Sequence, residues 1–216
     1  DSLDVMQRSV SVCLHLSPYV PFEASCVGAQ RSRADMVLAN SEETREVLGD
    51  YGYQNVELFE NPAPLRFVAD QDPPKDLNRI LSVSNHVPEE LSEALNLLRG
   101  RGYDIYHIGS PDNSRRLQPY DLFEADAVIA IGKTVQYALR ARRPVYCYDH
   151  FKGPRWIYSA NDSYVWRDCS GRCVRHAKSP EYLADATKTG YGSVRAWLTR
   201  SHALCRRNAA FYKPVT

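Results

Sequence analysis

The sequence predicts an α/β fold in which a parallel sheet is flanked by helices, with a partial second α/β domain beside it. Three observations carry this. Short apolar runs of strand length recur along the chain. Between them lie stretches with helical spacing, and the connections joining the two are short. Strands that alternate with helices in this way form parallel sheets covered on their faces. Composition agrees with a globular domain. The chain has 216 residues, 44% hydrophobic and 25% charged, with a formal charge of +1. That length suits one large domain or two small ones. That charge argues against nucleic-acid binding through a basic face.

The elements follow in order. Val10 to Leu16 alternates weakly and reads as a strand. Glu23 to Arg33 reads as a helix, and Met36 to Ala39 as a short buried strand. Ser41 is a good N-cap with Glu42 and Glu43 in the first turn behind it, and this helix ends near Gly49. Val56 to Phe59 is a third strand. Asn61-Pro62-Ala63-Pro64 is a stiff connector, and Asp70 to Asp76 is polar and aperiodic, so the domain boundary falls between Asn61 and Asn78.

The second half is more regular. Ile80 to Val83 is a strand, and Pro88 opens a helix whose Leu91, Ala94, Leu95 and Leu98 form one buried stripe. Ile105 to Ile108 is a strand, Tyr120 to Ala125 a short helix, and Ala127 to Ile131 a buried strand. Gly132-Lys133-Thr134 then opens a helix with Val135, Ala138 and Leu139 on one face. Arg142 and Arg143 close it, and Val145 to Tyr148 is the last strand. Pro180 to Thr189 and Ser193 to about Phe211 read as two helices. The divisions are 1–62, 63–192 and 193–216, with the last segment packing back on the first.

Ligands of open α/β sheets sit beyond the C-terminal strand ends. The residues there are Asn85 and His86, Gly109 and Ser110, Gly132 to Thr134, and Asp149 to Gly153, with Asp149 and His150 the candidates in the last. Glycine allows close approach of an anion, Thr134 can cap the helix and donate to a phosphate oxygen, and Lys133 supplies charge. The plainer reading is an ordinary capped helix with a solvated lysine. Neither GxxxxGK[ST] nor GxGxxG occurs, so neither a P-loop enzyme nor a dehydrogenase is supported.

Several stretches resemble GT-B glycosyltransferases. Val37 to Pro64, VLANSEETREVLGDYGYQNVELFENPAP, is similar to their interdomain region. Ile80–His86, Ile105–Ser110 and Asp126–Gly153 resemble their donor-binding Rossmann-like domain. The string PVYCYDHFKGPRW, from Pro144, is similar to a Y-D-H-F-G-G-P-G element of a bacterial group. Ser170-Gly171-Arg172 resembles a later S-G-R element. The resemblance implies a GT-B-like fold and transfer of a sugar from a nucleotide-diphosphate sugar to an acceptor hydroxyl. The acceptor would be a glycan, a lipid-linked molecule or another hydroxyl compound. It implies no bound metal or other cofactor. It also assigns Gly132, Lys133 and Thr134 to the diphosphate, Asn85 and Ser110 to the groove, and Asp149 and His150 to the sugar or nucleotide; His86 and Gly109 join the candidate substrate contacts by their strand-end position, and Arg172, beside Gly171, as an anion contact. Where the family carries a ribose-binding glutamate, the register here falls on Gln136 or Tyr137, and the E-x7-E pair of retaining members is missing. A catalytically silent nucleotide- or partner-binding module is the alternative.

Other features have two readings each. His15, at a strand end, is the one candidate catalytic base of the N-terminal portion, or a structural histidine. Cys169-x3-Cys173-x2-His176 has zinc-ligand residue types but is a weak pattern; a loop is the plainer reading, and no metal is expected. Trp156, Tyr158, Tyr164 and Trp166 stack on a sugar or base, or pack in the core. Arg195, Arg200, Arg206 and Arg207 form a solvated face or touch an anionic membrane. Cys13 and Cys147 lie in apolar runs and read as small hydrophobes. The cysteines do not form a dense disulfide framework, so reduced thiols in a cytoplasmic setting, with the inner membrane face as an extension, are expected. No run is long enough to cross a bilayer and no signal peptide is visible. The opening on Asp1 rather than Met reads as a fragment or a processed chain.

Overall fold

A computed structural model describes residues 10–17, 27–59, 63–111, 113–150, 156–157 and 179–207, with side chains of the last helix to 196. The chain divides into two compact units, Asp1–Pro62 with Trp166–Asp168, and Ala63–Val165 with Cys169–Thr216.

In the first unit, strands β1 (Val12–His15), β2 (Met36–Ala39) and β3 (Val56–Leu58) form a parallel sheet in that order. Helices α1 (Val27–Arg33) and α2 (Glu42–Asp50) connect them. Ser41 caps α2 as expected, its Oγ accepting from Thr44 N at 3.2 Å. Val37, Ala39, Leu48 and Tyr53 make the core on one face. Consecutive right-handed crossovers in one direction put their helices on the same side of a sheet. Val12, Leu14 and Met36, from the alternate positions, remain 50, 45 and 40% exposed. Among the described residues this sheet is therefore covered on one face only. Of the helix expected over 23–33, residues 23–26 lie outside the described residues.

The second unit is a parallel sheet in the order β5-β4-β6-β7: β4 (Arg79–Val83), β5 (Asp104–Ile108), β6 (Ala127–Ala130) and β7 (Val145–Cys147). Every residue of β6 and β7 is buried, which is why these strands read as unbroken apolar runs. Helices α3 (Glu89–Gly100) and α6 (Pro180–Arg207) cover one face, where Leu91, Leu98, Leu183 and Val194 meet Ile80 and Ile129. Helices α4 (Pro119–Phe123) and α5 (Lys133–Arg140) cover the other, where Leu122, Val135 and Ala138 meet Leu81 and Val128. This unit is a Rossmann-like α/β sheet with helices on both faces. Asp126 starts β4 from the side: its Oδ2 accepts from the N–H groups of both Asn78 and Arg79 at 2.7 Å.

Three features depart from the sequence reading. The two C-terminal helices are one, Pro180–Arg207. Gly190 and Gly192 lie between the two expected segments. Gly190 instead lets the helix touch Trp156, because a Cβ there would lie 2.0 Å from Trp156 Cδ1. Trp156 is a core residue, 2% exposed, edge-on to Tyr146 at 5.5 Å, with its indole N–H donating to Ala186 O at 2.8 Å. Tyr158, Tyr164 and Trp166 lie outside the described residues, as do the side chains of Arg200, Arg206 and Arg207. Gly190→Ala removes helix-propensity strain of about 1 kcal/mol yet overpacks the indole. A net loss of about 2 kcal/mol is expected, seen as a lower urea midpoint.

The second departure is the polar connector. It is strapped to the second unit by residues far along the chain. Arg142 pairs with Asp72, Tyr191 Oη donates to Pro74 O at 2.8 Å, and Arg195 Nε donates to Pro73 O at 3.1 Å. Burial pushes the Tyr191 phenol up to about 12, so it stays a donor at neutral pH. Arg195 is thereby a partly buried tie rather than part of a solvated basic face.

The third concerns the end of α5. Arg142, at φ +59°, and Arg143, which close the helix as expected, are both buried. The Arg143 guanidinium donates to Leu122 O at 2.9 Å and Phe123 O at 2.8 Å, closing the C-terminus of α4. Burial holds its pKa below the usual guanidinium value. Cys147 is buried and Cys13 half-buried, and neither is in a disulfide. Among the described residues no helix is long and apolar enough to cross a membrane.

Candidate functional site

The strand order of the second unit contains a reversal. From β4 the chain moves outward to β5, returns past β4 to β6, and continues to β7. The loops after β4 and β6 therefore run in opposite directions and leave a crevice between them. A cleft of about 290 Å³ occupies this place, lined by Ser84, Asn85, Gly109, Arg115, Thr134 and Asp149 over an apolar floor.

Gly109 sets the width of the cleft. Its φ is +140°, and a Cβ on it would lie 1.8 Å from Ser84 O. Only glycine permits that conformation and that approach. The β4 and β5 ends are held together there by Ser84 N donating to Ile108 O at 3.1 Å.

Asp149, only 4% exposed, forms the far wall. Its Oδ1 accepts from Ser84 Oγ at 2.8 Å, from His150 N at 2.5 Å and from His150 Nδ1 at 3.0 Å. Ser84 Oγ in turn accepts from His86 N at 3.0 Å. The His86 and His150 rings meet edge to face, 5.1 Å between centroids. One buried carboxylate oxygen thus ties together two separate loops.

The α5 N-terminus forms the third wall. Gly132 is its N-cap, with φ +60°, and no side chain caps the helix. Thr134 therefore is not the cap expected from sequence. It lies in the first turn, where helical N–H groups have no intrahelical acceptor, and its side chain faces the cleft lining. Lys133 turns along its own helix, Nζ 3.1 Å from Gln136 Oε1 and 5.5 Å from the centre of the Tyr137 ring. Tyr137 itself stacks flat on Phe67, 4.3 Å between centroids.

The structure thus brings Asn85, Gly109, Thr134 and Asp149 into one cleft, with His86 and His150 next to lining residues. Ser110, Gly132 and Lys133 flank it without lining it. Arg172 lies outside the described residues, as does the Cys169–His176 pattern. His15 belongs to the first unit, where it is 5% exposed and packs edge-on to Tyr53 at 5.7 Å. Among the described residues no group of three or more His, Cys, Asp or Glu is arranged to hold a metal.

Ser84 and Arg115 are lining residues that sequence reasoning passed over. Ser84 carried a signal, since it ends a strand. Arg115 carried none. It is placed by a two-pronged bond to Asp121, at 2.5 and 2.8 Å, and by Tyr106 and Tyr120, whose ring centres lie 5.9 and 5.7 Å away. Asp121 raises its pKa further above the guanidinium range, so Arg115 is a fixed cation.

The fold and site define an α/β chain with a Rossmann-like unit and a polar cleft at its topological switch point. No family model matches the chain, and no curated protein matches it.

Proposed function

We propose that the second unit binds a nucleotide-diphosphate sugar in this cleft, and that the chain is a GT-B-type glycosyltransferase moving the sugar to an acceptor hydroxyl. The observation that carries the proposal is the position of the cleft. It opens at the reversal of strand order, between the β4 loop and the α5 N-terminus. There, backbone N–H groups and the helix dipole favour a diphosphate. Thr134 donates its hydroxyl, Asn85 its amide, and Arg115 a fixed positive charge. These groups stabilise the negative charge that develops on the leaving nucleoside diphosphate as its oxygen separates from the sugar's anomeric carbon and the acceptor oxygen, giving up its proton, bonds to that carbon. The acceptor proposed is a glycan, a lipid-linked molecule or another hydroxyl compound, and the setting proposed is the cytoplasm or the inner membrane face.

A specific observation favours a silent nucleotide-binding module as the second reading. The positions aligned with the ribose-binding glutamate are occupied by Gln136, bonded to Lys133, and by Tyr137, stacked on Phe67. Neither offers a carboxylate to a ribose.

Thr134→Val tests the site directly. Removing one hydroxyl from an anion is expected to weaken nucleotide binding about tenfold or more, with little change in melting temperature. Lys133→Ala is expected to have a smaller effect, because that ammonium is engaged with Gln136 and Tyr137. Thermal shift with UDP, GDP, ADP and their sugars reads both variants. Unchanged affinity in Thr134→Val removes the diphosphate from this helix. A shift without turnover over an acceptor panel favours the silent module.

A further inference from the structure

A second cleft, of about 300 Å³, opens beside edge strand β5 on the face that α4 covers. Its walls carry Arg79, Asp104, Tyr106, Tyr120 and Glu124 over Leu81. We propose that this cleft binds a neutral carbohydrate, with a sugar ring lying on the two tyrosines and its hydroxyls bonded to the paired charges around them. This site goes beyond the proposed donor site and shares no lining residue with it.

The rings come first. Tyr106 and Tyr120 are both exposed, so neither is used up in the core. The Arg115 guanidinium lies 5.9 Å from the centre of one ring and 5.7 Å from the other, and Asp121 fixes it in place. Aromatic rings held before a ligand arrives lose little freedom when it binds. Such a ring buries the C–H face of a sugar while its polar end stays available for hydrogen bonding. Tyr106 Oη accepts from Arg115 Nη2 and from Asn113 Nδ2, each at 3.1 Å. Both lone pairs are taken in this way, and the phenolic hydrogen is left to donate. Arg115, with Asn113 behind it, also holds that phenol below its usual pKa, which makes it a stronger donor.

The charges then select the ligand. Arg79 donates through Nε to Asp104 at 2.7 Å and through Nη1 to Glu124 at 3.1 Å. Asp121 is paired with Arg115. Three carboxylates thus face two guanidiniums, an excess of one negative charge, which repels a phosphate or a carboxylate. A cationic ligand finds each of these carboxylates already paired. Guanidinium and carboxylate groups in such pairs keep unused donor and acceptor positions. A hydroxyl is both donor and acceptor, so a ligand rich in hydroxyls fills these positions without adding charge. The site also lies where a carbohydrate would be useful. Tyr106 precedes Ile108, a lining residue of the first cleft, by two positions, about 7 Å along the strand. The Arg115–Asp121 pair stands between the clefts, Arg115 lining one and Asp121 the other.

The test uses neutral hexasaccharides of glucose, mannose and N-acetylglucosamine, with hexagalacturonate and hexalysine as the anionic and cationic probes. Saturation-transfer NMR reads the ligands, and isotope-labelled tyrosine rings, assigned with Tyr106→Phe and Tyr120→Phe, read the protein. The expected result is transfer to the C–H protons of at least one neutral hexasaccharide, with shifts of the Tyr106 and Tyr120 ring signals. Tyr120→Ala is expected to weaken that binding about tenfold, while Tyr120→Phe, which keeps the ring, retains most of it. A thermal melt checks the fold of each variant, and the ring shifts of the unaltered chain stand without them. No binding of any neutral hexasaccharide, binding that leaves both ring signals unmoved, or equal or tighter binding of hexagalacturonate or hexalysine overturns the inference. UDP, GDP and ADP are titrated into the same samples. Nucleotide binding without carbohydrate binding overturns this site and leaves the donor site standing. Carbohydrate binding without nucleotide binding overturns the donor site alone.

Discussion

Gly109→Ala is expected to destabilise the second unit by about 3 kcal/mol or more and to abolish nucleotide binding. The new methyl would sit 1.8 Å from Ser84 O and 2.5 Å from Ser84 C, both backbone atoms with no freedom to swing aside. The residue would also have to hold φ at +140°, a region that L side chains avoid. The two strand ends must separate, and Ser84 is then drawn from Asp149. For a unit of this size the loss corresponds to a melting temperature about 10 °C lower. Differential scanning calorimetry reads the stability. A ligand titration below the new melting point reads the site. A variant that melts like the parent and still binds would mean that Gly109 does not set the approach of β4 and β5.

Arg143→Met is expected to cost about 2–4 kcal/mol, since a buried and a part-buried carbonyl each lose a charge-assisted donor. The chain volume is roughly kept, so the loss reports the bonds to Leu122 O and Phe123 O rather than a cavity. Replacing a whole buried ion pair by apolar residues can be neutral. Here the acceptors are backbone and remain after the substitution. Arg143→Lys should recover part of the loss, because one ammonium can reach one carbonyl but lacks the planar fork that serves both. Urea unfolding of the three proteins gives the order expected: arginine most stable, lysine intermediate, methionine least.

Much of the second unit was legible because its signals are local. Leu91, Ala94, Leu95 and Leu98 repeat at helical spacing and are all buried. The apolar runs Ala127–Ala130 and Val145–Cys147 are strands buried at every residue. Asn85, Gly109, Thr134 and Asp149 were placed together because strand ends in a parallel sheet share an edge, which follows from connectivity alone. What could not be read was set by distant partners. The segment from Asp70 to Asp76 looks like a linker until Arg142, Tyr191 and Arg195 arrive to hold it. Gly190 looks like a helix stop until Trp156 is packed against it. Arg142 and Arg143 read from sequence only as the close of a helix, and their burial depends on the carbonyls of α4 and on Asp72. Arg115 reaches the cleft only because Asp121 and two tyrosine rings hold its guanidinium there.

The central claim is that a nucleotide diphosphate occupies the switch-point cleft. Amide hydrogen exchange of the chain, with and without saturating UDP, GDP or ADP, tests it most directly. The expected result is slowed exchange in the presence of one nucleotide, concentrated at residues 84–86, 109–110, 132–135 and 149–150. Slowed exchange confined to other segments, or none with any of the three, would contradict it.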